Sequence, residues 1–355
     1  MTSLDSYVTL GRSGLRVSPL ALGTMTFGED IGWGADPETS AAILGEYLDR
    51  GGNLVDTANI YTNGHAEKII GDVLATRPGL RDRIVLGTKF FANLHPGDPN
   101  GGGAGRKAML GQLDESLRRL RTDHVDLYWL HGWDARVPVE ETLRALDDLV
   151  AAGKVRYVGI CNLPAWVAAH TQTTAHFRGW APVTALQAEY SLLERTAEGE
   201  LLPMADALGM GVLPWSPLRG GQVLGKSPAD SPRAQAMGRP EARGQSVVDT
   251  VARVAKELGV TPAEVALAWV RSRPAVTSTL VGARTVEQLR ANLASLAVTL
   301  TQEQQADLDE VSVPELNFPA AINAGPGPML GFGGTTVDGV ARPVWPSLLA
   351  SAARY

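Results

Sequence analysis

The stretch "ETLRALDDLVAAGKVRYVGICN", residues 141–162, contains one complete unit of the fold. Leu143, Leu146 and Leu149 recur at helical spacing and lie on one face. The run at 155–162 that follows is short, apolar and rich in β-branched residues, and reads as a buried strand. The same kind of run recurs along the chain as "LALG" at 20–23, "NLVDT" at 53–57, "IVLGTK" at 84–89 and "VDLYWLH" at 125–131, then as "VTALQAE" at 183–189, "GVLPWS" at 211–216 and "STLVG" at 278–282. Amphipathic stretches lie between them, such as the one carrying Leu110, Leu113, Leu117 and Leu120. Eight strand–helix units in series, with no break in composition before about residue 312, predict a single (β/α)8 TIM barrel. An open, doubly wound sheet is the alternative that the count alone leaves standing.

Two segments fall outside the repeat. "YVTLGRSGLRVS" at 7–18 alternates apolar residues around Gly11 and Gly14, and is expected to form a β-hairpin that plugs the N-terminal end of the barrel. From Ser312 the chain is dense in Pro and Gly, which break helix and strand alike. The expected division is therefore a barrel over 1–311 and an irregular arm over 312–355, packed on or near a barrel end.

Composition narrows the function. The chain has 355 residues, 44% of them hydrophobic, enough for a large core. A net charge of −6 with both signs mixed offers no basic face to nucleic acid. The longest apolar runs, such as "VALAWV" at 265–270, are too short to span a bilayer. The N-terminus lacks a charged region followed by an apolar one, and Cys161 is the single cysteine, so no signal peptide and no internal disulfide are expected. A soluble, cytoplasmic protein follows as the expectation; nothing in the sequence marks an oligomeric state.

In such barrels the reactive groups lie where strands end. Asp56 closes the second strand, Lys89 the third and His131 the fourth, with Tyr61 in the loop after Asp56. Singly each has an ordinary structural use; together on one rim they form an acid–base unit. A lysine beside a phenol favours the phenolate, so Tyr61 is expected to titrate below an ordinary tyrosine and to donate a proton near neutral pH. No G-x-G-x-x-G occurs, so a dinucleotide would need another phosphate cradle. "GART" at 282–285 follows the eighth strand and opens a helix, putting backbone N–H groups and Arg284 where a phosphate could bind. Arg284, Gln288 and Asn292 share one helix face.

Other patterns carry less. "GGQVLGKS" at 220–227 satisfies the P-loop pattern, but Pro228 and Pro232 forbid the helix that a P-loop needs at its Gly-Lys-Ser. His95, His124, His170 and His176 have no metal-ligand spacing, so no metal is expected. "RRLR" at 118–121 reads as the solvent face of its helix.

The segments "DTANIY", "LGTK", "LYWLHGWD" and "ALDDLVAAGKVRYVGICN" resemble, in order and spacing, the signatures of the aldo-keto reductases, the likeness running from the hairpin to about residue 311. The resemblance implies a barrel that reduces carbonyls with a nicotinamide cofactor. Asp56, Tyr61, Lys89 and His131 stand at its catalytic tetrad: Tyr61 as general acid, Lys89 tuning it, Asp56 holding Lys89 by a buried ion pair, and His131 orienting the carbonyl or sharing in proton transfer. It also implies cofactor contacts. Thr24 and Met25 lie toward the nicotinamide, with Asn162 and Gln187 for its carboxamide and Trp215 to stack on its ring. Asp56 belongs with them. Ser216, Pro217, Leu218 and Gly220 follow Trp215 in the same set of contacts, and the glycine loop at 220–227 would cover the pyrophosphate. Gly282, Ala283, Arg284, Gln288 and Asn292 would hold the adenosine end, the arginine favouring NADPH over NADH. Cys161 stands where the family commonly has Ser, and His65, where a small polar residue is frequent, is expected on the surface at the start of a 65–76 helix. Phe27, Trp33, Phe90, Phe91 and Trp133 suggest an aromatic mouth for a small-molecule carbonyl substrate. The same barrel resembles the β subunits of potassium channels, so a cofactor-holding, redox-sensing regulatory subunit is the alternative to a reductase.

Overall fold

The computed structural model describes residues 2–227, 229, 235 and 244–350. A hairpin of β1 (Val8–Thr9) and β2 (Arg16–Val17) precedes the barrel. The barrel strands are β3 (Leu20–Gly23), β4 (Leu54–Asp56), β5 (Val85–Phe90), β6 (Val125–Leu130), β7 (Val155–Cys161), β8 (Val183–Glu189), β9 (Gly211–Trp215) and β10 (Thr279–Val281). All pairings within it are parallel, in the spatial order β10-β3-β4-β5-β6-β7-β8-β9. The ring closes through one parallel bridge between Val212 of β9 and Val276, just ahead of β10. The eight expected strands are all present, and the open sheet is excluded.

The helices between strands are α1 (Pro37–Asp49), α2 (His65–Thr76), α3 (Arg106–Leu120), α4 (Val139–Ala151), α5 (Ala165–Arg178) and α6 (Leu201–Ala207). They continue as α7 (Gln245–Leu258), α8 (Pro262–Arg271), α9 (Val286–Ala294) and α10 (Gln302–Val311). Local chemistry fixes several starts: Asp36 accepts from the Thr39 N–H ahead of Pro37, and Thr301 and Gln304 form a reciprocal capping box. Leu143, Leu146 and Leu149 of the opening unit are buried against the sheet.

Period-two alternation divides the core in two. One set of strand residues, with the helices, makes the outer layer. The other set faces inward as a second apolar cluster: Ala21, Leu54, Val85, Leu127, Trp129, Ala185, Leu213 and Leu280, with Leu10 and Val17 of the hairpin beneath. The hairpin plugs the barrel as expected. Trp129 fills the centre because two glycines leave room for its ring: a Cβ on Gly159, its partner on β7, would lie 2.2 Å from the indole, and one on Gly87 of β5 would lie 2.9 Å from Nε1. Farther up the same inward face lie Gly23, Asp56, Lys89, Cys161, Gln187 and Trp215, so a partly polar layer sits above this apolar floor.

"RRLR" is not simply a solvent face. Arg119 is largely buried, its Nε 2.6 Å from a fully buried Glu67 of α2, and Glu67 also accepts from Thr88, the neighbour of Lys89. Beyond α10 the chain forms short helices at Ala320–Ala324, Gly327–Phe332 and Pro346–Leu349, with a small hairpin at 336–341. This segment packs closely at Gly199, where a Cβ would meet that of Ala320 at 3.2 Å.

Candidate active site

A cleft of about 590 Å³ opens at the C-terminal ends of the strands. Met25, Asp56, Tyr61, His131, Asn162, Gln187, Trp215, Ser216, Pro217, Leu218, Gly220, Gly282, Ala283, Arg284, Gln288 and Asn292 all line it. Residues taken from loops scattered over more than two hundred positions thus meet in one groove. Two expected members stand back from it. Lys89 lies behind Tyr61. Thr24 is buried with its hydroxyl donating to the Asp56 carbonyl at 3.0 Å, which ties the end of β3 to the end of β4 instead of facing the cleft.

The innermost wall is a hydrogen-bonded set. Lys89 Nζ donates to Asp56 Oδ2, to the Thr57 carbonyl at 3.0 Å and to Tyr61 Oη at 3.1 Å, so the three N–H groups of an ammonium are all used. The second oxygen of Asp56 accepts from Gln187 Nε2 at 2.8 Å. Burial alone would lower the Lys89 pKa, but Asp56 and Tyr61 outweigh it and lift the ammonium above the ordinary lysine range. Burial pushes the Asp56 carboxyl up, opposed by Lys89 and by the Gln187 amide. With every donor and acceptor of the pair satisfied, the ionised form is the one that fits.

Tyr61 differs from expectation. Burial raises its pKa, and the neighbouring Lys89 offsets only part of that rise. The phenol is therefore protonated through the neutral range. His131 stands edge-on to it, with ring centroids 6.1 Å apart, and burial, then Lys89, pulls its pKa down to about 3. It is a neutral imidazole at every ordinary pH. The Cys161 thiol is likewise pushed up, to about 12, by burial, which makes it inert.

The tyrosine loop holds unusual backbone. Thr62 and Asn63 have φ of 47° and 56°, followed by Gly64 at 90°, a left-handed run that ends where α2 begins. Thr62 locks it by donating to the Phe27 carbonyl at 2.8 Å and accepting from the Ala66 N–H at 3.0 Å. Strain of this kind is held where a side chain must be aimed. His65 opens α2 as expected, bonded to Asp30 at 2.7 Å.

At the opposite end, Thr285 caps α9, Gln288 accepts from the Arg284 N–H at 2.9 Å and Asn292 donates to the Gly282 carbonyl at 3.1 Å. Gln288 and Asn292 thus shape the 282–285 loop as well as lining the cleft. The Arg284 guanidinium forms no ion pair among the described residues. Between the two ends, Gly220 and Gly221 at φ of 67° and 96° bring bare backbone to the cleft. A groove lined by a donor-rich loop, an arginine with no ion pair among the described residues, glycine backbone and the amides of Asn162 and Gln187 suits a dinucleotide.

Gly225 forms a turn and no helix begins at Lys226 or Ser227, which is unlike a P-loop; Pro228 and Pro232 lie outside the described residues. Among the described residues no cluster of His, Cys, Asp or Glu could hold a metal, and no helix is long and apolar enough to cross a membrane. Of the expected aromatic mouth, Trp33 lines the cleft, whereas Phe27 and Phe90 are fully buried, Phe90 stacking on Tyr128. Trp133 lies exposed against Trp166. Sequence reading missed Ile31, Ile60, Thr26 and Val281 in the lining; Ile60 precedes Tyr61 directly, and adjacency to a catalytic loop was its available signal.

A barrel with this buried lysine–carboxylate pair behind a protonated tyrosine defines a class, and the comparisons agree. The Aldo/keto reductase family profile matches residues 19–313, and the chain belongs to that family. It is an oxidoreductase of the carbonyl-reducing kind, and such enzymes generally use a nicotinamide cofactor. It is similar to the uncharacterized oxidoreductase YrpG of Bacillus subtilis, 39% identical over 86% of this chain and 95% of that one. It is also similar to the norsolorinic acid reductase stcV of Emericella nidulans, 35% identical over 87% of this chain and 82% of that one. The putative aryl-alcohol dehydrogenase AAD14 of Saccharomyces cerevisiae is 32% identical, over 87% of each chain.

Proposed function

We propose that the protein is an NADPH-dependent reductase of aldehydes and ketones, above all aromatic ones, with Tyr61 as its general acid. The observation that carries this is the Tyr61 hydroxyl, 3.1 Å from a fully buried Lys89 ammonium and facing the same cleft as the neutral His131. A bound nicotinamide supplies the hydride. Tyr61 gives its proton to the carbonyl oxygen as that oxygen gains charge, and Lys89 stabilises the tyrosinate left behind. Asp56 keeps Lys89 charged and in place. His131, being neutral, offers a ring N–H to the same oxygen without adding a charge. Tyr61 regains its proton from solvent before the next turnover.

Arg284, which lines the cleft and has no ion pair among the described residues, would pair with a 2′-phosphate and so favour NADPH. The tetrad end bears apolar and aromatic side chains (Met25, Ile31, Trp33, Ile60), and the Lys89 ammonium behind them is already bonded to Asp56 and Tyr61. A flat, uncharged carbonyl compound suits that surface, and the relatives named for norsolorinic acid and aryl alcohols support it. The barrel over 1–311 would be the catalytic unit, with the segment from residue 312 as an arm beside its mouth.

The test is NADPH consumption with an activated aromatic aldehyde, wild type against Tyr61→Phe. Turnover should fall by about 100-fold or more in the variant while NADPH affinity stays within about twofold. A variant retaining more than about a tenth of the rate removes Tyr61 from the role. A wild type that binds NADPH tightly yet turns over no aldehyde or ketone would instead be a cofactor-holding regulatory protein.

A further inference from the structure

One buried ion pair lies outside the strands and does not line the cleft. Glu67, in the first turn of α2, is fully buried, where a carboxylate is costly unless it is paired. Its Oε2 accepts from Arg119 Nε at 2.6 Å and its Oε1 from the Thr88 hydroxyl at 2.5 Å. Both partners lead back to the tetrad. Thr88 precedes Lys89 on β5, and alternation along the strand turns its side chain outward where that of Lys89 turns in. Arg119 starts from a close crossing of α2 and α3, where a Cβ on Gly71 would lie 2.3 Å from the Arg119 carbonyl oxygen. Its side chain, with Glu115 and Ser116 taking its other N–H groups, then reaches Gly64, where a Cβ would fall 2.8 Å from Arg119 Cδ and Nε. Gly64 ends the left-handed run that begins one residue after Tyr61. Ahead of Tyr61 the loop is held to β5 by backbone, the Thr57 N–H donating to the Gly87 carbonyl at 2.9 Å and the Asn59 N–H to that of Lys89 at 3.1 Å. Behind Tyr61, the bond between Thr88 and Glu67 ties it to the same strand.

We propose that Glu67, bridging Thr88 and Arg119, is a positioning residue for proton transfer: with Tyr61 taken as the general acid, as above, it holds the tyrosine loop at a fixed offset from β5 and so sets the 3.1 Å separation of Tyr61 Oη and Lys89 Nζ. Tyr61 and Lys89 belong to different elements, so their alignment depends on how the loop is seated against the strand. A displacement of the acid by about 1 Å costs a rate about 100-fold. An apolar contact would keep α2 on the barrel, but it would not fix the loop along the strand. The carboxylate supplies that direction, with one oxygen bonded toward β5 and the other toward α3, in charge-assisted bonds that are short and geometrically specific.

The experiment compares two substitutions of Thr88 that both disturb packing but differ in the hydroxyl. Thr88→Val removes the hydroxyl at nearly constant volume, and Thr88→Ser keeps it while removing a methyl group. Reduction of an activated aromatic aldehyde is followed in single turnovers at saturating NADPH, in water and in deuterium oxide. Thr88→Val should slow the step by about tenfold or more, with aldehyde half-saturation and NADPH affinity within about twofold of wild type. Its solvent isotope effect should rise, because proton delivery has become the slower part of the step. Thr88→Ser should keep at least about half of the wild-type rate, with an unchanged isotope effect. Glu67→Gln, which sets an amide N–H against Arg119, should behave as Thr88→Val does; if it does not fold, the Thr88 pair decides alone. Equal rates in Thr88→Val and Thr88→Ser overturn the positioning role. So does a slow Thr88→Val with the wild-type isotope effect, the mark of fewer active molecules. In either case Tyr61→Phe, run beside them, still loses the reaction and the acid assignment stands. Undiminished reduction by Tyr61→Phe overturns that assignment and the positioning role with it.

Discussion

Replacing Lys89 by methionine keeps the length of the side chain and removes its charge. In the structure that charge sits between Asp56, the Thr57 carbonyl at 3.0 Å and Tyr61 at 3.1 Å, with the lysine side chain 1% and the aspartate 3% exposed. Its loss strands a buried carboxylate with a single amide donor, and breaking such a pair costs about 3–5 kcal/mol. The carboxylate can escape only by taking a proton. Burial already pushes the Asp56 pKa up, and the loss of Lys89 pushes it further. A carboxyl whose folded pKa lies above the unfolded value of about 3.9 destabilises the fold increasingly as pH rises between the two values, and by a constant amount above them. The deficit of Lys89→Met should therefore be largest near about pH 8 and shrink toward about pH 4. Urea unfolding of wild type, Lys89→Met, Asp56→Leu and the double variant at several pH values measures this. The double variant, with no charge left to strand, should recover more than half of the loss. A deficit under about 1 kcal/mol, the same at every pH, would refute a charged, buried pair.

Arg284→Ala should weaken NADPH by about 1.5–3 kcal/mol, roughly 10- to 100-fold, and leave NADH unchanged in a fluorescence titration; equal losses for both would sink the 2′-phosphate assignment. Because Tyr61 is held above, and His131 at about 3, well below, their ordinary values, neither changes charge in the neutral range. The rate of carbonyl reduction under kcat/KM conditions should thus be level from about pH 6 to about pH 9, and a break near 6.5 that vanishes in His131→Asn would contradict the neutral imidazole. Gly159→Ala, whose Cβ would fall 2.2 Å from the Trp129 ring, should lower stability by about 1–3 kcal/mol in thermal melts, and Trp129→Phe in the same chain should restore part of it.

The barrel was legible because strands buried on both faces read as unbroken apolar runs, and each one from "LALG" to "STLVG" stands out between helices. Asp56, Lys89 and His131 could be found because three charged or polar residues that each end such a run fall together on one rim of the barrel. What sequence did not show was direction. Thr24 and Gln187 look equally suited to touch a ligand, yet Thr24 turns to the Asp56 backbone while Gln187 spans the barrel. The sign of the Tyr61 shift was hidden for a related reason: the influence of Lys89 follows from proximity, whereas the opposing burial depends on everything packed around the phenol. Arg119 read as solvent-facing because its buried partner Glu67 lies on another helix, 52 positions earlier. Nor did the left-handed run at Thr62 and Asn63 announce itself, since neither is a glycine.

The indole floor makes this barrel a cup closed at its base. Trp129 and the hairpin residues Leu10 and Val17 fill that end, so the cleft beside Tyr61 is reached from the C-terminal side of the strands. The glycines at 87 and 159, which make room for the tryptophan, thereby decide from which side the cleft can be reached, although neither of them lines it.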